Sequence, residues 1–395
     1  MKKTYLILFS LLSLSLTSFS QTTVNDQLNP LITGVPSLTI TPDARGGGMG
    51  DVGVATSPDI NSQYWNPAKY AFMTSPAGLS FSFTPWLRSL GINDINLSYL
   101  TGYWKFDDLQ SVSGSLRYFS LGSVRLTDEQ GNNLNMDAQP NELALDVAYS
   151  RLLSDNWSAA VGFRYIRSDL NNGANGAGGI EMFPGNAFAA DIATYYKTPI
   201  AMATGDANLA FGLNISNIGS KISYDQNETS IFIPTNLRLG GSFEYPFDDY
   251  NKISFNADIN KLLVPTPVKP IGEETYESQS YLDRKAIYDQ TGPIAGIFKS
   301  FNDAPGGMSE EMKEIMWSAG AEYAYNNQFF VRGGYFNEHA MKGNRKYFTA
   351  GAGFKLNVFQ LDVAYLISVA QSNPLDQTLR FTLGFDLNGL TELMR

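Results

Sequence analysis

The sequence predicts an all-β chain: a 14-stranded antiparallel transmembrane β-barrel with an N-terminal plug and a helical extracellular loop. Three observations predict it. From residue 77 onward apolar residues recur at every second position, as in strands with one apolar face. The connections between these segments sort by parity into short and long, as in bacterial barrels with short periplasmic turns and longer outer loops. Aromatic residues make up 13% and glycines number 36, while charged residues are only 17%, against about 25% in soluble domains.

The chain opens with MKKTYLILFSLLSLSLTSFS, where Lys2 and Lys3 precede an apolar run and small residues end at Ser20. Residues 1–20 are therefore expected to be a secretory signal, with Gln21 starting the mature chain. Beyond it, nothing approaches the roughly 18 to 20 apolar residues that a membrane helix needs.

Residues 21–76 lack the alternation and are rich in Asn, Pro, Gly and Thr. They are expected to fold into the lumen as a plug. Inside them, Gly48, Gly50 and Gly53 fall at the dinucleotide-binding spacing G-x-G-x-x-G. Their context excludes that use: Pro42 and Asp43 make a turn before the motif, and Pro58 and Pro67 interrupt any long helix after it. Gly46, Gly48, Gly50 and Gly53 are instead expected to be structural, allowing close backbone approach and positive φ. Arg45, Asn66 and Pro67 are grouped with them as plug residues.

The barrel is expected over residues 77–388, in segments 77–87, 94–106, 111–120, 141–151, 156–167, 186–197, 207–217, 235–246, 252–262, 316–326, 328–337, 346–356, 358–369 and 377–387. Most are near the 9 to 11 residues, about, of a tilted membrane-crossing strand. In the last, Leu379, Phe381, Leu383, Phe385 and Leu387 share the face expected to meet outer-membrane lipid. With the first strand running outward, the periplasmic turns are KFDDL, SDN, a longer TPIAMATGD, DDYN, NNQ and Asn357 alone. The outer loops include 121–140, 168–185, 218–234 and a long one at 263–315. A soluble sandwich has no reason to sort its loops in this way.

On the other parity stand Arg117, Asp146, Arg164, Asp191, Arg238, Glu244, Asp258, Arg332, Asp362 and Arg380. These are expected to line a solvated or ion-paired lumen, since a charge facing lipid near the midplane costs about 2 to 4 kcal/mol.

Two outer loops carry candidate working surfaces. Loop 218–234 ends in Ile231, Phe232, Ile233 and Pro234, an apolar cluster expected to reach outward and bind a partner; the alternative is that it folds down over the plug. The long loop holds GPIAGIFKSF and GGMSEEMKEIMWS, with helix-like apolar spacing. Ser309 is expected to cap the second helix, with Glu310 and Glu311 near its N-terminal dipole. The apolar faces of both are expected to pack on the barrel rim rather than await a partner.

Several chemistries are unsupported. There is no cysteine and one histidine, His339, so thiolate chemistry and multi-histidine metal cages are excluded, and no catalytic residue, metal or cofactor is expected. A lipid deacylase with His339 beside Glu338 as base lacks a positioned serine. The net charge of −10, with no basic run, argues against nucleic acid and against anionic lipid headgroups as partners.

The stretch PDARGGGMGDVGVATSPDINSQYWNPAKYAF resembles the N-terminal signature of the FadL-like outer-membrane family, at Ala44, Arg45, Gly46, Met49, Gly50, Val54, Ala55, Asn66, Pro67 and Ala68. Members of that family are fourteen-stranded barrels with an N-terminal plug. Within it the chain is most similar to the PorV branch, which belongs to the type IX secretion system of Bacteroidetes. That likeness rests on the signal ending in Ser-Gln, DARGGGMGDVGVAT, WNPAKYAF at 65–72 and NKLLVPTP at 260–267; PorQ-type relatives share the glycine segment, so the later motifs separate them. The resemblance implies a multi-pass outer-membrane protein with loops at the cell surface. It also implies binding of the C-terminal domains of secreted cargo leaving the SprA/Sov translocon, and delivery to the attachment complex containing PorU. The alternative is a FadL-type transporter of hydrophobic small molecules.

Overall fold

The computed structural model describes residues 28–127, 132–172, 182–202, 205–225, 229–271, 274–369 and 375–387. The expected signal peptide lies outside them. Among the described residues there are sixteen strands: β1 Ala77–Pro85, β2 Ile95–Lys105, β3 Gln110–Leu121, β4 Val124–Thr127, β5 Asn133–Ala138, β6 Asn141–Ser154, β7 Trp157–Asp169, β8 Gly185–Met202, β9 Gly205–Gly219, β10 Asn236–Pro246, β11 Asn251–Leu262, β12 Met316–Tyr325, β13 Phe329–Asn337, β14 Lys346–Leu356, β15 Phe359–Ser368 and β16 Leu379–Asp386. All but β4 and β5 form one closed barrel, each strand antiparallel to its neighbours, so 14 strands make the wall. The ring shuts where β16 pairs with β1, with Phe81 opposite Leu383. Closure leaves no edge strand and pairs the wall's backbone polar groups within the wall itself, as hydrocarbon requires.

Alternation decides which side of the wall meets lipid. On β16 the odd-numbered residues Leu379, Phe381, Leu383 and Phe385 are exposed, while Arg380 and Thr382 are buried. The same holds round the ring, with Phe163, Phe255, Val331 and Phe348 among the outward residues. In water so large an apolar surface would drive association; in a membrane it is the solvated face. Aromatic side chains gather at both rims: Trp104, Phe106, Trp157 and Phe359 at the short-turn end, and Trp317, Tyr335 and Phe348 at the other. No described helix is long and apolar enough to cross a membrane.

Three expectations are corrected. TPIAMATGD is not a turn: β8 and β9 run on together until Met202 pairs with Gly205, making β8, at 18 residues, the longest strand. The outer loop 121–140 holds the separate β4–β5 hairpin. The long loop holds three helices rather than two, because Gln279–Gln290 is also helical. That helix is polar around much of its surface and so carries no apolar stripe to read.

Candidate functional site

Between Asp43 and Phe72 the chain lies inside the ring, with three short helical turns at Ala44–Gly47, Ser62–Trp65 and Pro67–Phe72. The Asp43 carboxylate organises it, accepting from the Gly46 amide at 2.8 Å and from the Trp65 indole at 2.6 Å. Trp65 then lies so close to Gly46 and Gly53 that a Cβ on either would fall 2.4 or 2.1 Å from its ring. Gly50 has φ 77°, and a Cβ there would stand 2.6 Å from the Tyr335 backbone nitrogen of β13. Gly48 backs onto Gly351 of β14. The glycine spacing thus serves contact with an indole and with strand backbones, not with a nucleotide. Asn66 caps the turn begun by Pro67, and its amide donates to Val54 and Thr194 carbonyls at 3.0 and 2.9 Å.

Charges tie this inner segment to the wall. Arg45 reaches Asp59 at 2.8 Å and Glu322 at 2.9 Å; Glu322 also accepts from Arg332 at 2.6 Å, and Arg332 donates to Asp362 at 2.6 Å. Asp51 pairs with Arg380 at 2.9 Å, and Asp258 accepts from the Gly53 and Val54 amides at 2.8 and 3.0 Å. Arg164 bridges Asp146 and Asp191 at 2.7 and 2.9 Å. Arg117 donates to the Ile40 carbonyl at 2.9 Å, and Arg238 to the Tyr64 hydroxyl at 2.7 Å. Of the ten charges expected in the lumen, nine are buried and engaged in this way; Glu244 is half-buried and pairs with Lys252 at 3.5 Å. The interior cavity beside Tyr64, Asp51 and Arg238 measures about 50 Å³, space for a water or two.

The outer face corrects the reading of loop 218–234. Phe232 and Ile233 are buried, at 5% and 2% exposure, and Pro234 is buried too; Ile231 alone reaches the surface, at 37%. Ile231 exchanges both backbone hydrogen bonds with the buried Ile222, which holds this end of the loop against the core. Ile233 joins Val35, Leu38 and Ile166 in a core above the inner segment. Phe232 lies under the long loop, edge-on to Tyr288 at 5.8 Å and with the Lys221 ammonium 4.2 Å from its ring centre. The cluster folds down because the long loop supplies a lid for it, something no spacing in 218–234 encodes.

The long loop presents the exposed surface instead. NKLLVPTP anchors it: Lys261 pairs with Glu311 and Glu314 at 3.1 and 2.6 Å, and Thr266 donates to Glu314 at 2.7 Å. Lys342, from the turn after β13, clamps Glu310 and Glu314 at 2.7 and 3.0 Å. Ser309 is exposed and does not cap the Met308–Lys313 helix, whose N-cap is Gly307; Glu310 and Glu311 do stand in its first turn. Nor does the barrel rim cover the apolar faces. Ile294 and Phe298 of the Pro293–Lys299 helix, Ile287 of Gln279–Gln290, and Met308 and Met312 are all exposed. Between the Gln279–Gln290 helix and Ile231 opens a recess of about 330 Å³ lined by Ile32, Phe232, Val268, Tyr281 and Tyr288. His339 is built into its turn, its Nδ1 accepting the Met341 amide at 3.2 Å, and Glu338 pairs with Arg345 at 2.8 Å.

A closed barrel with a lipid-facing wall and a lumen occupied by its own chain is an outer-membrane β-barrel protein. A family model described as "Type IX secretion system protein PorV" matches residues 23–269, well over half the chain. The chain belongs to the PorV family of type IX secretion proteins. No curated protein sequence matches it. Among solved structures it is similar to the Pseudomonas putida toluene transporter TodX, at 11% identity, covering 91% of this chain and 99% of that one with a TM-score of 0.50. The TodX deltaS2S3 mutant monoaromatic hydrocarbon channel gives 10% identity, 87% and 98% coverage and a TM-score of 0.51. A Pseudomonas aeruginosa FadL homologue gives 11%, 88% and 99%, and 0.43. At such identities the likeness to the two TodX chains is one of fold alone.

Proposed function

We propose that this barrel receives the C-terminal domains of secreted cargo as they leave the SprA/Sov translocon and hands them to the PorU attachment complex. Residues 21–76 act as the plug and residues 77–388 as the membrane domain that holds the receiving loops at the cell surface. The observation that carries the reading is the exposure of Phe298, Ile294, Met308 and Met312 above the membrane, on a loop pinned by buried ion pairs. Apolar side chains held rigidly in water lower the cost of binding a partner, because little ordering remains to be done. The interior supports the same choice over hydrophobic-solute transport, since the cavity beside Tyr64 is small and its neighbours include Asp51, Arg238 and Arg345.

The test is site-specific photo-cross-linking in living cells. A photoreactive residue at Ile231 or Phe298 should give adducts with a very large outer-membrane protein or with secreted cargo, whereas the same residue at buried Ile233 should give few. Adducts confined to lipopolysaccharide or neighbouring porins would refute the assignment.

A further inference from the structure

At the short-turn end of the barrel β8 and β9 run past their neighbours as a two-stranded ribbon. On the β7 side the pairing of β8 stops at Tyr196, opposite Trp157, with one further bond from the Lys197 amide to the Asn156 carbonyl at 2.8 Å. On the β10 side the pairing of β9 stops at Asn208, opposite Glu244. Beyond these points residues 198–202 and 205–207 pair only with each other. At about 3.3 Å per residue, 198–202 carry the ribbon roughly 16 Å along the strand past the rim. Unpaired backbone cannot enter hydrocarbon, so this ribbon stands in the water on the side away from the receiving loops. Yet Ile200 and Met202, on one face of it, are 38% and 45% exposed. Its two edges differ. Pro246 of β10 stands beside Gly205, and Ala207 is fully buried, so β9 is partly covered. The β8 edge is open: among the described residues nothing pairs with it beyond Lys197. Because backbone amides alternate sides along a strand, positions 199 and 201 face the same edge as the Lys197 amide. Pro199 has no N–H to give there, and Ala201 supplies the donor.

We propose that this edge of β8 binds an extended segment of a periplasmic protein, which adds to the ribbon as one more strand. The Ala201 N–H and the carbonyls of Pro199 and Ala201 supply main-chain bonds, and Ile200 and Met202 supply the apolar contact beside them. An open row of backbone donors and acceptors is matched by another strand, not by lipid tails, which have no polar groups to offer. A second copy does not fit: in the same membrane its ribbon points the same way and cannot pair antiparallel. Because the ribbon faces away from the receiving loops, it stands or falls independently of the cargo reading.

The experiment places a photoreactive residue at Met202 of the full chain in living cells, in an otherwise unaltered background and in Ala201→Pro, Ala201→Val and Ile200→Glu backgrounds. The expected result is one discrete adduct with a periplasmic protein. Ala201→Pro removes the edge donor on the side where Pro199 is already accommodated, and should lower the adduct yield by about tenfold or more. Ala201→Val keeps the donor and should retain the adduct. Ile200→Glu keeps every bond within the ribbon while removing the apolar contact, and should also weaken it. Heat-dependent electrophoretic mobility reports in each case that the barrel has folded. Adducts confined to lipid or to a second copy of the chain, no adduct at all, or equal yields from Ala201→Pro and Ala201→Val would overturn the proposal.

Discussion

Gly50 shows how much one side chain's absence decides. Its φ of 77° and the Tyr335 backbone atoms within 3 Å of a virtual Cβ leave no room for alanine. Gly50→Ala should cost about 1–3 kcal/mol in strain alone, visible as a lower urea midpoint in detergent; an unchanged midpoint would mean the inner segment does not press on β13 in this way. The ion pairs divide sharply by burial. Glu322 serves Arg45 and Arg332 at once, so Glu322→Gln strands part of two buried guanidinium groups and should cost about 3–5 kcal/mol. Arg125 and Asp137 meet only at 3.6 Å on the exposed β4–β5 hairpin, and Arg125→Ala should change stability by under about 1 kcal/mol. Equal losses from the two variants would contradict the buried network. None of this pairing was legible from sequence: Arg45 and Glu322 are 277 residues apart, and only the barrel register brings them together.

At the scale of elements, the long loop carries its own pH dependence. Burial pushes Asp303 from 3.8 up to about 6, and repulsion from Glu311 and Glu314 adds to this, against the opposing pull of hydrogen bonds from Thr266. A carboxyl with a raised folded pKa stabilises the folded loop when protonated. That contribution is complete below the unfolded value of 3.8 and is lost as pH rises through about 6. Glu310 shifts the other way: burial opposes its ionisation, but bonds from Lys342, Gly306 and Asn29 outweigh it, so its contribution fades only in stronger acid. The amides of 303–314 should therefore exchange hydrogen more slowly at pH 5 than at pH 8, after correction for intrinsic rates. Protection that increased with pH would contradict the placement of Asp303 against Glu311 and Glu314. The helices of this loop were partly readable. GPIAGIFK and MSEEMK announce themselves by apolar spacing and acidic N-terminal residues, but Gln279–Gln290 has no apolar stripe. The missing Ser309 cap follows from Gly307, which turns the chain at φ 64° and takes the N-cap position itself.

At the scale of the whole molecule, the strand pattern was legible because lipid outside and a packed lumen inside impose the same two-residue period on every strand. It failed at 198–206, where Pro199 and Gly205 read as turn residues although β8 and β9 continue past their neighbours. The same two-solvent arrangement makes a final prediction with a diagnostic size. Val161 on β7 and Val331 on β13 are 60% and 62% exposed on opposite sectors of the wall. On a water-soluble sheet, a lysine at either position would be close to neutral, since its charge would stay hydrated. In a bilayer each ammonium must enter hydrocarbon or drag the wall toward a headgroup, so Val161→Lys and Val331→Lys should each lose about 2–4 kcal/mol in lipid vesicles. The penalty should shrink toward the rims, as for Leu356→Lys beside the short turn. Reversible unfolding from vesicles measures all three, and a flat response along the strand would mean that the outward face does not span hydrocarbon.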